Sequence, residues 1–268
     1  MQIIIFYMSE NPKHIPSIYN YCDRWCERCY FTSHCAAYDS TSDLNLELND
    51  NSNKAFWNHL SQTLEKAADL LRKVSEKIGI DLTRLPKSVE TETNTRNEKR
   101  EKNLKHHQLI ILCKSYMEKA IKFLKQAEFI KQHSLESVMP DGQSLINSTH
   151  ETVKIAIGIK DYIDVIQWYL YFIHAKLSRA LTGKWEDSGW QEANGFPKDS
   201  DGSAKIALIA VDRSIKAWLK LHEIVTDEED AIIEIMGFLE KIKAIALKEF
   251  PDAQKFVRPG FDEQSKGD

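Results

Sequence analysis

The chain has little glycine and proline, no excess of one charge sign and no long hydrophobic run. Of its 268 residues, 10 are glycine and 7 are proline, which favours helices joined by few loops over a turn-rich all-β fold. The net charge is −4, so no general attraction to nucleic acid or to an anionic membrane is expected. The most apolar window, residues 165–173, is short and bordered by charges. It cannot span a bilayer, and no membrane association is expected.

Targeting and catalytic signatures are missing too. The apolar run 3–8 has no basic residues before it and no cleavage site after it, so it does not read as a signal peptide. We therefore expect the reducing cytoplasm, where close-set cysteines indicate metal or redox chemistry rather than disulfides. No Gly-rich phosphate loop and no Glu-x-x-His pair of a di-metal carboxylate site occurs. The sequence leaves open whether the protein is an enzyme.

What the chain does have is four of its five cysteines within fourteen residues. Cys22, Cys26, Cys29 and Cys35 follow the spacing C-x3-C-x2-C-x5-C. Four thiols this close must converge on something or remain a reactive group in solution. Thiolates bind soft and borderline metals tightly, and the coordination stabilises a loop that has little other structure. The spacing therefore predicts a four-thiolate metal site.

The choice of metal lies between an iron–sulfur cluster and zinc. Structural zinc usually takes two separated C-x2-4-C knuckles, whereas here all four ligands share one loop with a wide x5 step. Ligands to a cubane lie farther apart than ligands to a single ion, so this step favours a [4Fe–4S] cluster over Zn2+. The interleaved aromatic residues Trp25, Tyr30 and Phe31 are candidates for shielding such a cluster from water. Ordinary packing is the alternative interpretation of these rings.

Part of this loop resembles a known one. Cys26-x2-Cys29-x5-Cys35, followed by Ala36-Ala37-Tyr38, is similar to the end of the [4Fe–4S] loop of endonuclease III-type DNA glycosylases, whose first step is x6 where this chain has x3. The resemblance covers about fourteen residues and implies cluster ligation by the four cysteines. It does not carry glycosylase activity, because the helix–hairpin–helix and catalytic Lys and Asp context are missing. The C-x3-C-x2-C part also matches the motif of radical S-adenosylmethionine enzymes, but the strands of their β/α barrel are not predicted.

Apolar residues recur at helical spacing over most of the remaining chain, which predicts an all-α bundle of about five long helices. The predicted helices cover residues 54–78, 104–134, 148–181, 203–225 and 228–250. Gly79 is expected to cap the C-terminus of the first helix. Ser148-x-x-Glu151 is an expected capping box at the start of the third helix, and Thr226-x-x-Glu229 is one at the start of the fifth.

The segments between these helices are predicted as irregular. They are an N-terminal arm or short strand (1–20), an acidic linker (39–53), a mobile loop (86–103), a long loop packed by its own aromatics (182–201), and a frayed tail beyond Pro259. The predicted division is therefore an N-terminal metal-binding part, 1–53, and a helical bundle, 54–268. Cys113 lies on an apolar helical face and is predicted to be buried.

We expect a metal-binding helical protein with a structural, redox-sensing or accessory role. An iron–sulfur redox enzyme or electron-transfer protein is the first alternative. The second is a nucleic-acid-binding module that uses the basic face of helix 104–134. That face carries Lys105, Lys114, Lys119, Lys122, Lys125 and Lys131. The sequence identifies no protein partner and does not define the oligomeric state.

Overall fold

The protein is all-α, as predicted. The computed structural model describes residues 12–42, 54–79, 87–126, 150–225 and 228–262. Within these ranges it contains eight α-helices, several short 3-10 turns and no strand. The helices are α1 (Ala36–Ser42), α2 (Lys54–Ile78), α3 (Lys87–His106), α4 (Gln108–Gln126), α5 (His150–Trp185), α6 (Trp190–Ala193), α7 (Asp199–His222) and α8 (Glu229–Glu249). The predicted count of five helices in one bundle is not confirmed.

The chain forms two compact units. One comprises residues 1–101 together with 259–268, and the other comprises residues 102–258. The first unit therefore contains the cysteine segment, α1, α2 and most of α3, while the second contains α4 to α8. This division differs from the predicted boundary after residue 53, because α2 groups with the cysteine segment and the end of the chain returns to it.

The second unit is built from four long helices packed in a ring. Helix α5 contacts α7, α7 contacts α8, α8 contacts α4, and α4 contacts α5. The core between them holds large side chains that are fully buried, among them Trp218, Tyr116, Tyr169 and Leu109. Burial of side chains of this size, at roughly 1.5–3 kcal/mol each, is the main source of stability for such a ring.

Helices α5 and α7 form the most extensive of these contacts, and many of the buried residues of α7 are small. The buried positions of its first half are mostly glycine, serine and alanine, including Gly202, Ser203, Ala204 and Ala207. Small side chains let two helix backbones approach closely. An Arg179–Asp199 pair adds two hydrogen bonds of 3.0 and 2.6 Å between the same helices.

The first predicted helix is confirmed with the predicted bounds, since α2 covers Lys54–Ile78. Gly79 follows it with φ of 72°, the left-handed conformation of a C-terminal cap. Much of the apolar stripe of α2 is accessible to solvent, and Leu64 and Leu71 are each 61% exposed.

The predicted mobile loop 86–103 is wrong, because these residues lie almost entirely in α3, Lys87–His106. No apolar period marks this helix, and nearly all its described side chains are exposed. A helix that buries no face can still form from the strong helix formers Glu, Lys and Arg, whose charges pair along its surface. Helix α4 begins only after a break at His107, whose Nδ1 accepts a hydrogen bond from the Leu109 N–H at 3.3 Å.

The predicted loop 182–201 is shorter than expected. Helix α5 continues through Gly183 to Trp185. Gly183 faces Ser200, and a Cβ added at Gly183 would lie 3.5 Å from the Ser200 Cβ. Helix α7 begins at Asp199 rather than 203. The aromatic packing expected in this segment is found between Trp190 and Phe196, whose rings stack with centroids 5.6 Å apart.

Several predictions lie outside the described residues. They are the strand formers within 1–11, the linker residues 43–53, the end of the second helix at 127–134 and both capping-box residues Ser148 and Thr226. The first part of the predicted linker is helical, since α1 extends to Ser42. Among the helices that the structure describes, none is both long enough and apolar enough to cross a membrane.

Candidate metal centre

The cysteine segment is a series of tight turns. Three 3-10 turns cover Ile18–Asn20, Cys26–Arg28 and Thr32–His34, and α1 begins directly after Cys35. Cys29 ends the second turn, with its N–H donating to the Cys26 carbonyl at 3.1 Å, and Cys35 ends the third in the same way. Cys29 and Cys35 therefore end turns, Cys26 begins one, and Cys22 follows the first turn closely, so each lies where the chain changes direction.

These reversals bring all four predicted ligands to the wall of one cavity. Cys22, Cys26, Cys29 and Cys35 all line one space, part of which is open to solvent. The other lining residues are Ile18, Tyr19, Asp23, Arg24, Trp25, Phe31, Thr32, Tyr38 and Phe261.

The sulfurs of Cys29 and Cys22 make hydrogen bonds with the backbone. The Phe31 N–H donates to the Cys29 Sγ at 3.4 Å, and the Cys22 thiol donates to the Tyr19 carbonyl at 3.6 Å. Arg24 has a φ of 60°, a conformation that costs a residue other than glycine roughly 1–3 kcal/mol. Such N–H···S bonds stabilise thiolates and adjust the reduction potential of iron–sulfur clusters.

The local environment disfavours free thiolates at two of the four positions. Burial raises the pKa of the Cys22 thiol, the charges of Asp23 and Cys35 raise it further, and the N–H and guanidinium of Arg24 act in the opposite direction. Burial also raises the pKa of Cys26, and the other three cavity thiols add to the increase. Thiolates crowded in this way repel each other, and a cationic centre among them would relieve that repulsion.

The thiols line a common space without converging on one point. In the part of the chain that the structure describes, no three or more His, Cys, Asp or Glu side chains are grouped so that they could hold a metal ion. Four sulfurs around one zinc ion, each at 2.3 Å from it, would be only about 3.8 Å apart. As the side chains lie, the described residues show four thiols around a shared space and no preformed metal site.

Two of the three candidate shielding residues line the cavity. Trp25 and Phe31 are in its wall, and the Arg28 guanidinium covers the outer face of the Trp25 ring at 4.0 Å. Tyr30 does not line the cavity, and its side chain is 95% exposed. Its place in the turn after Cys29 directs the ring into solvent. The prediction that Tyr30 shields the thiols is therefore wrong.

One wall of the cavity was not predicted from the sequence. Phe261 is near the end of the chain, in the tail predicted to be frayed, yet it lines the cavity and contacts Phe31 edge-on with ring centroids 4.9 Å apart. For residues 259–262 that prediction is wrong, and 263–268 lie outside the described residues. The available signal was one aromatic residue, preceded by Pro259 and Gly260, in an otherwise polar tail.

The base of the segment is fixed by contacts to residues that precede the first cysteine. The His14 Nε2 lies 2.6 Å from the Asp39 carboxylate in α1, and the Ile15 N–H donates to the His34 carbonyl at 2.9 Å. Ile18 is only 1% exposed. Residues 14–18 thus hold the first turn against the third turn and α1.

The basic face of the second predicted helix is partly neutralised in α4. The Lys119 ammonium pairs with Glu234 of α8 at 2.8 Å. Cys113 is buried in the second unit, and burial raises its pKa to about 12, in agreement with its prediction as a core residue.

No protein-family model, no curated protein and no solved structure matches this chain. The interpretation of the site therefore depends on its own chemistry.

Proposed function

We propose that this protein binds a [4Fe–4S] cluster through Cys22, Cys26, Cys29 and Cys35, and that the cluster has a structural, redox-sensing or accessory role. The observation that carries the proposal is that all four thiols line one cavity. Close spacing in sequence does not by itself require four side chains to share a cavity wall. The loop resemblance to endonuclease III-type glycosylases supports the same ligands and does not extend to their activity.

The wide x5 step between Cys29 and Cys35 favours a polynuclear centre over a single zinc ion. Around one zinc ion the four sulfurs would lie about 3.8 Å apart. A cubane places one thiolate on each of four irons and so bridges a wider separation. When bound, the cluster would supply positive charge between thiolates that otherwise repel each other, and one-electron redox chemistry. Zn2+ remains the alternative metal.

The residues of the chain would supply the rest of the site. The Phe31 N–H would hold a hydrogen bond to the coordinated sulfur of Cys29. Trp25, Phe31 and Ile18 would limit the access of water. Because thiol ligands lose their protons on binding, metal uptake is expected to release protons and to weaken as the pH falls. A reducing compartment such as the cytoplasm would keep the thiols available.

The test is anaerobic purification followed by an optical spectrum and analysis for iron, sulfide and zinc. A brown protein with iron and acid-labile sulfide in equal amounts supports the cluster. A colourless protein with one zinc per chain supports the alternative metal. Protein without metal, after reconstitution with iron and sulfide has been attempted, refutes the proposal.

A redox role is separated from a structural one by a redox titration of the loaded protein. A cluster that cycles reversibly within the range of cellular potentials supports an electron-transfer protein or redox enzyme, and an inert cluster supports a structural role. The nucleic-acid alternative predicts binding at low salt that falls steeply as salt is added. The pairing of Lys119 with Glu234 reduces the positive charge available for it.

A further inference from the structure

Residues 259–262 lie against the cysteine segment at the cavity that the four thiols line, which we call the thiolate cavity. Residues Pro259–Asp262, which we call the C-terminal strap, belong to the same compact unit as the cysteine segment. Phe261 of the strap is in the cavity wall together with the four cysteines, and its ring meets the Phe31 ring at 72° with centroids 4.9 Å apart. Edge-to-face pairs of this geometry add stabilisation beyond the burial of the rings.

The backbone of the strap is seated on buried apolar side chains. Gly260 has φ of +75°, and a Cβ at this position would lie 2.9 Å from the Ile18 Cδ1 and 3.0 Å from the Ile15 Cδ1. Any other residue would therefore need both an unfavourable backbone conformation and a shift of the two isoleucines. Ile18 is 1% exposed, so little room exists for that shift. Glycine at 260 lets the strap lie directly on the first turn.

The strap also reaches a sulfur through one intermediate residue. Phe261 packs on Phe31, and the Phe31 N–H donates a hydrogen bond of 3.4 Å to the Cys29 Sγ. A change in the Phe261 ring thus acts on cavity access directly and on the position of Cys29 through Phe31.

The geometry points to the C-terminal strap as the cover of the thiolate cavity, with Phe261 as the side chain that limits the access of water and oxidants to the sulfurs. Its importance for a metal centre rests on the proposed function, whereas the cover itself is a property of the metal-free chain. Phe261 is a shielding and positioning residue and not a ligand. The two parts of this inference are therefore tested separately.

The first experiment uses reduced, metal-free protein and measures the rate at which iodoacetamide alkylates each cysteine, by peptide mass spectrometry. For Phe261→Ala we expect alkylation of the cavity cysteines to be about fivefold faster than in the wild type. Loss of one aromatic pair increases by about this factor the population of molecules in which the cavity is open to the reagent. Tyr30→Ala is the matched control, because it removes an aromatic ring from the same segment that does not line the cavity. Cys113, buried in the other unit, serves as the internal reference.

The second experiment loads the same variants with iron and sulfide and follows the loss of the cluster absorbance in air. Phe261→Ala is expected to lose its cluster several times faster than the wild type, with Tyr30→Ala unchanged. Gly260→Ala, which lifts the strap without removing a ring, is expected to have an effect of the same direction in both experiments. Phe261→Leu replaces Phe261→Ala if far-UV circular dichroism shows that the alanine variant is unfolded.

Equal alkylation rates in Phe261→Ala and the wild type would overturn the inference, and so would an equal increase in Tyr30→Ala. If no variant accepts a cluster, the proposed function fails while the alkylation result still decides the role of the strap. If the cluster forms but is lost at the same rate in all variants, the cover does not protect it and the inference fails alone.

Discussion

Replacement of Cys29 by serine changes one predicted ligand and little else in the protein. Cys29 lies between a 3-10 turn and Phe31 and packs in no long helix. Apparent binding free energies of structural zinc in zinc-finger peptides are roughly 10–16 kcal/mol, so on that scale the share of one ligand among four is about 2.5–4 kcal/mol. At 1.4 kcal/mol per factor of ten, Cys29→Ser is expected to weaken metal retention by roughly 10^2 to 10^3.

Helix content should hardly change in this variant. The helix that follows the site, α1, has seven residues, whereas α5 alone has 36. The core of the second unit around Trp218 and Tyr116 contains none of the four cysteines. The far-UV circular dichroism of Cys29→Ser should therefore match that of the wild type, while the metal content of protein purified side by side falls.

The control is Cys113→Ser, which removes a thiol in the core of the second unit and should keep its metal while losing stability. Cys29→Ser protein with full metal content would refute the ligand assignment. Loss of metal in Cys113→Ser would show that metal retention reports on general stability. Collapse of the whole helical signal in Cys29→Ser would contradict the division into two units.

Two further predictions concern the second unit. Trp218→Ala should lower the free energy of unfolding by about 3–5 kcal/mol in urea titrations, because the indole is fully buried and its ring centroid is 5.3 Å from that of Phe123. The control is Leu219→Ala, at a neighbouring position that is 45% exposed, which should cost less than about 1 kcal/mol. Equal costs for the two variants would contradict the packing described. Burial raises the pKa of Cys113 from 9.0 and of Tyr116 from 10.0, in each case to about 12. The unfolded chain therefore loses these protons first. The contribution of these two groups to stability should be constant below pH 9 and fall by about 1.4 kcal/mol per pH unit for each group as the pH rises from its unfolded pKa towards 12. Urea titrations at stepped pH should show that Tyr116→Phe removes about half of this fall above pH 10, where Cys113 contributes the rest; an unchanged slope would refute the burial of the hydroxyl.

The helices that could be predicted from the sequence are those that bury one face. Helix α2 has its predicted bounds because its apolar residues keep a helical period up to Gly79. Helix α3 could not be found in this way, since its polar surface contains no period to detect. The predicted end of α5 at residue 181 is wrong, because the helix continues through Gly183, which lies beside Ser200. A glycine near a helix end can stop the helix or lie within it, and only the tertiary contact distinguishes the two roles.

The candidate site, too, could be predicted only where its residues are neighbours in the sequence. The four cysteines are adjacent in sequence, and thiol chemistry alone identifies them as a group. Tyr30 and Phe31 are neighbours of similar character, yet one is exposed and the other lines the cavity, because successive residues of a turn point in different directions. Phe261 is more than 200 residues away from the cysteines in the chain, and no local pattern could connect it to them. Its role depends on the return of the chain end to the first unit.

The central claim is that the four thiols hold a single inorganic centre. Native mass spectrometry of the anaerobically purified chain tests it most directly, because the mass added to each intact molecule identifies what is bound. The account predicts one adduct of four irons and four sulfides on the wild type, absent from Cys29→Ser and present on Cys113→Ser. A bare chain after reconstitution, or an adduct that Cys29→Ser retains in full, would contradict it.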